Sequence, residues 1–69
     1  MNFNIRGAVI QNIQHMDNSE LTGLIEDSIT QGEEKLLPGL GVLFEVIWKN
    51  SDPSEQQHMI QTLHNKIQK

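Results

Sequence analysis

The sequence predicts an all-α fold, a compact bundle of about four short helices around a central apolar helix. Three observations lead there. Apolar residues recur at helical spacing in the first, second and last quarters of the chain. Two acid-capped start signals, Asp17-Asn18-Ser19-Glu20 and Asp52-Pro53-Ser54-Glu55, punctuate it. Between them, Val42 to Trp48 is apolar almost all the way round, so it must be buried in the fold or against a partner.

Helix 1 is predicted over 3–15 from Ile5, Ala8, Val9, Ile13 and Met16, with Asn2 or Asn4 as its cap. Gly7 inside it costs about 1 kcal/mol relative to Ala, so it frays the first turn or admits a close backbone approach. Helix 2 is predicted over 18–31. Asp17 and Glu20 have the spacing of a capping box, and Leu21, Leu24, Ile25 and Ile29 (or Ser28) form the stripe. Gly32 suits a left-handed C-terminal position.

Residues 33–37 have room for one turn. Proline disfavours helical geometry in the residue before it, so Pro38 ends that turn. Pro38-Gly39 then matches the centre of a type II turn, and Gly41 frees the chain to enter the next element. Residues 42–49 have strand-like composition. Helix is favoured because Glu45 and Lys49 stand at i and i+4 in the favourable order, and because a lone strand would lack a partner. Helix 4 is predicted over 53–67, with Asp52 as cap, Pro53 first, and Met59, Ile60, Leu63 and Ile67 as a narrow stripe. Lys66 and Lys69 complement its dipole.

Sixty-nine residues make at most one domain, 1–69. A chain this short buries only roughly 60% of its unfolded surface, and such scaffolds usually need a staple. With no Cys, disulfides and thiolate metal sites are excluded, leaving helix packing or self-association. The net charge is −4; residues 1–34 hold one cation against six acids, and residues 35–69 four against three. Duplex-binding domains usually show a basic patch, which argues against nucleic acid. No apolar run approaches the ~20 residues of a membrane span, and the N-terminus lacks a secretory-signal pattern. The chain therefore reads as intracellular and soluble.

Catalytic and metal chemistry find little support. His58 and His64 are six apart, about 120° from sharing a helix face, and His15 joins them only through tertiary structure. Glu26-Asp27 and Glu33-Glu34 are adjacent rather than facing, unlike an acid–base pair. Ser19, Ser28, Ser51 and Ser54 fall at caps or on helix surfaces, with no nucleophile elbow. Gly39-Leu40-Gly41 precedes a helix but lacks the Walker pattern and its Lys. The expectation is no enzyme, no metal and no cofactor. Phe44 and Trp48, at i and i+4, share a face that is core or an oligomer interface rather than a stacking platform for bases. The candidate core or self-association surface is Val42, Leu43, Phe44, Val46, Ile47 and Trp48. If Phe44 and Trp48 are core, truncating either to Ala costs about 3–5 kcal/mol.

Three stretches carry a family resemblance: Asn2-Phe3-Asn4-Ile5-Arg6 with Ala8-Val9-Ile10; Gly32-Glu33-Glu34-Lys35; and above all Leu37-Pro38-Gly39-Leu40-Gly41-Val42-Leu43-Phe44-Glu45-Val46-Ile47-Trp48-Lys49-Asn50. With these the chain resembles the minor small acid-soluble spore proteins of the I type, from Bacillus-like spore formers. The resemblance implies expression in the forespore and residence in the spore core. It supplies no established biochemical activity and no catalytic or binding residues to carry over. The DNA-coating spore proteins share the acid-soluble label but not these motifs. In strong acid the nine carboxylates lose their charge while five Lys or Arg and three His are positive, which suits solubility. The leading expectation is a non-enzymatic spore-core protein acting through protein contacts or as a homodimer. The alternative is an accessory nucleic-acid binder, which requires Lys35, Lys49, Lys66 and Lys69 to converge on one face. An amino-acid store ranks last, since it would not need so well punctuated a fold.

Overall fold

Asp17 and Asp52 each accept the amide of the residue three positions on, at 2.8 Å, while Glu20 and Glu55 reach back to the cap amides. Two complete capping boxes thus start two of the four helices in this computed structural model, which describes residues 4–68. The elements are α1 (Ile5–Ile13), α2 (Asn18–Gln31), a 3-10 turn (Glu34–Leu36), α3 (Leu37–Lys49) and α4 (Pro53–Ile67). The fold is all-α, with no strand among the described residues.

α2 and α4 have the boundaries that their signals predict. Gly32 closes α2 at φ 63°, the left-handed region, and its amide donates to the Ser28 carbonyl. α1 is shorter than predicted. Asn4 is its cap, and Gln14 and Met16 close it with amide bonds to Ile10 and Ile13. The predicted start at residue 3, the alternative cap Asn2, and Lys69 lie outside the described residues. Gly7 accommodates the helix's own cap. The Asn4 side chain folds over it to accept its amide at 2.8 Å, and a Cβ there would lie 2.6 Å from Asn4 Nδ2.

The start of α3 is a correction. It begins at Leu37 rather than residue 42, so Pro38, Gly39 and Gly41 are helical residues and not a type II turn. Proline in the first turn loses no hydrogen bond, since that amide has no intrahelical partner anyway. The 3-10 turn hands its direction straight to α3: Leu37 is helical at φ −60°, ψ −42° despite preceding proline. Among the described residues, positive φ occurs only at Gly32.

α3 makes its most extensive contacts with α1 and with the 3-10 turn. A Cβ on Gly39 would lie 4.0 Å from Val9 Cγ2, and Leu40 and Leu43 share a cleft lining with Ile5, Val9 and Ile13. Among the described residues Leu43 is the buried hydrophobic one, 9% exposed. The rest of α3 is not enclosed. Phe44 is 49% exposed, Ile47 48% and Val46 36%, so Phe44 is not core in the single chain. The other three helices, of 9 to 15 residues, do not enclose α3, because α2 and α4 dock only lightly against it. The radius of gyration is 13.6 Å, against roughly 11 Å for a densely packed chain of this length.

Two outcomes test this packing. Leu43→Ala is expected to cost about 2–5 kcal/mol in dilute urea melts, with Phe44→Ala costing clearly less. Gly41→Ala is expected to stabilise by roughly 0.5–1 kcal/mol, because the site is helical and nothing lies within 4 Å of the added Cβ. A turn at Gly41 would give the opposite sign.

Candidate interaction surface

α3 and α4 meet at a corner held by polar groups. The Asn50 side-chain amide donates to the Val46 carbonyl at 2.8 Å, and the Ser51 hydroxyl to the Ile47 carbonyl at 2.7 Å. Gln56 Nε2 donates to the Trp48 carbonyl at 2.7 Å, tying α4 to the end of α3. The Ile47 and Trp48 carbonyls also accept the backbone amides of Asn50 and Ser51, so these side chains add to the backbone closure of α3 and, through Gln56, connect it to α4.

Above that corner lies an apolar groove of about 310 Å³ lined by Phe44, Glu45, Trp48, Ile60 and Leu63. The Phe44 and Trp48 rings are 5.8 Å apart and tilted by 37°, within the usual range for an aromatic pair. Along α4, Ile60, Leu63 and Ile67 are 45%, 54% and 66% exposed. Of the predicted surface, Phe44, Val46 and Ile47 are exposed, Val42 and Trp48 half-buried, and Leu43 faces the interior. The sequence reading did not join Ile60 and Leu63 to Phe44 and Trp48. Their stripe was visible as α4 periodicity, but its proximity to α3 depends on the corner.

A second, larger cleft of about 660 Å³ opens between α1, α2 and the start of α3, with Val9, Met16, Leu24 and Leu40 among its walls. Lys35 at its edge is engaged with Glu33 at 3.1 Å. His15 Nε2 lies 3.4 Å from the Gln14 side-chain amide. Among the described residues no three His, Asp or Glu gather as a metal site, and no helix is long and apolar enough to cross a membrane.

Glu45 does more than line the groove. It receives a two-pronged contact from Arg6 on α1, with Nε to Oε1 at 2.5 Å and Nη2 to Oε2 at 2.9 Å. The sequence pairs Glu45 with Lys49; the structure gives both of its oxygens to a residue 39 positions away. That fork geometry is specific to guanidinium and carboxylate. Hydrogen bonding from Arg6 is the main cause that holds the Glu45 carboxyl below its ordinary value of 4.5; partial desolvation opposes it, and the charges of Arg6 and Lys49 assist.

The comparisons with known proteins cover the whole of this architecture. The model of the family "Small, acid-soluble spore protein I" matches residues 3–67. The chain belongs to that family. Among its relatives are the small, acid-soluble spore protein I of Bacillus cereus (strain G9842) and that of Bacillus anthracis (strain CDC 684 / NRRL 3495). Each is 52% identical over 69 residues, covering 100% of both chains. No solved structure matches. Membership of the spore protein I family places the chain among sporulation proteins, as the three motif stretches imply.

The Arg6–Glu45 contact gives this family member a signed pH dependence. Because the folded-state value of Glu45 is depressed, its contribution is present above about 4.5 and fades as pH falls through the lower folded value. A carboxyl-carbon NMR titration is expected to place the Glu45 midpoint below 4.5, and Arg6→Gln to return it toward that value.

Proposed function

We propose that the chain is a non-enzymatic protein of the spore core that works through protein contacts, its own association first among them. The observation that carries this is surface. The chain exposes 6026 Å², whereas a self-sufficient monomer of 7.9 kDa exposes roughly 4,400 Å² by the usual scaling. Large apolar side chains contribute to that surplus on every helix, from Ile5 and Ile29 to Leu37 and Ile67. That ten large hydrophobic side chains are exposed among the described residues supports the reading. The residence in the spore core rests on the family's character and on a chain without cysteine.

Duplex DNA is a poorer partner. The net charge is −4, and one of the four lysines that would have to converge, Lys35, is neutralised by Glu33. Sedimentation equilibrium over a wide concentration range is expected to show species heavier than 7.9 kDa, and duplex DNA at low salt to show no mobility shift. A strict monomer that retards DNA would reverse the order of the two readings.

A further inference from the structure

We infer that the occupant of the α3–α4 groove is a second copy of this chain, seated so that α4 of each copy lies against Phe44, Trp48, Ile60 and Leu63 of the other. The inference rests on the self-association reading and adds to it the place, the partner and the symmetry.

Area argues for a copy. The surplus of roughly 1,600 Å² per chain, from 6026 Å² observed against the monomer scaling, is total surface spread over the four helices, and it is large enough to supply the 1,000 Å² or so that each partner buries at the lower end of obligate homodimers. Much of the exposed apolar surface lies on α3 and α4: Leu37, Phe44, Val46, Ile47, Ile60, Leu63 and Ile67 are seven of the ten exposed large hydrophobic residues among the described ones.

The form of the face argues for a two-fold contact. An isologous interface needs both halves of the contact on one surface. Here Ile60, Leu63 and Ile67 follow the three–four spacing of a helix seam, and Ile60 and Leu63 stand beside the Phe44 and Trp48 rings in one groove. The projecting row and the groove that receives it therefore belong to the same patch.

Charge permits pairing through this face. Residues 37–67 hold two cations, Lys49 and Lys66, against three acids, and one of those acids, Glu45, is already matched by Arg6. Residues 17–34 hold six acids and no cation. Pairing through α3 and α4 brings near-neutral surfaces together and leaves the acidic α2 region outside, where like charges stay apart.

The test is sedimentation equilibrium of the full chain with Trp48 emission read on the same samples. The wild type is expected to dimerise, with the sole tryptophan shifting to the blue as concentration rises. Leu63→Asp alters a side chain that is 54% exposed in the single chain, and is expected to weaken the dimer by at least about 30-fold, as for a central interface residue. Ile29→Asp on α2, 64% exposed and off this face, is expected to leave it intact; circular dichroism confirms that both variants stay helical. If Leu63→Asp is not helical, Ile60→Asp and the wild-type emission decide in its place. A dimer that ignores Leu63→Asp, or whose Trp48 emission does not move, overturns this interface and leaves self-association standing. A chain that remains monomeric throughout overturns both.

Discussion

The packing of α3 against α1 is the contact on which the rest of the molecule depends. Val9 meets the start of α3 at Gly39, Leu43 closes the interior, and Arg6 reaches across to Glu45. No other pair of helices shares a contact of similar extent among the described residues. α2 and α4 are joined to this pair mainly through their connections. Their positions are set by Asp17, Gly32, the 3-10 turn and the Asn50–Asp52 corner more than by buried side chains. A chain of this length has too little apolar interior to hold four helices by burial alone.

That shortage explains the character of the surface. A helix as apolar as α3 is not covered on all sides by three neighbours of which two make only sparse contact with it. The uncovered side of α3 and the stripe of α4 face the same way because the corner between them is short. The family's signature stretch, Leu37 to Asn50, contains all of α3 and the first residue of the corner. The Glu45 carboxylate belongs to two systems at once: its oxygens lock α1 to α3, and its stem lines the α3–α4 groove.

What was legible in the sequence was local. The capping boxes at Asp17 and Asp52 and the left-handed Gly32 depend on residues within four positions, so α2 and α4 are readable to their ends. The beginning of α3 was not, because Pro38-Gly39 carries two conflicting local signals. Pro-Gly suits a type II turn, yet proline also suits a first helical turn, and the preceding 3-10 turn decides between them. The candidate surface was half legible. Periodicity identifies Phe44 with Trp48, and Ile60 with Leu63, as pairs, but nothing in the order of residues says that the two pairs line one groove. Nor does it show that Arg6 outcompetes Lys49 for Glu45, since that depends on how α1 crosses α3.

The corner between α3 and α4 has one more consequence. Asn50, Ser51, Asp52 and Gln56 each spend a side-chain polar group on the backbone there, so the direction of α4 is set by hydrogen bonds as well as by apolar contact. α4 is therefore a strut and not a tether. Its conformational entropy is lost during folding of the single chain, and little of it remains to be lost on meeting a partner. If the proposed pairing holds, the face is pre-organised, and association would be governed by collision and orientation rather than by a search for structure.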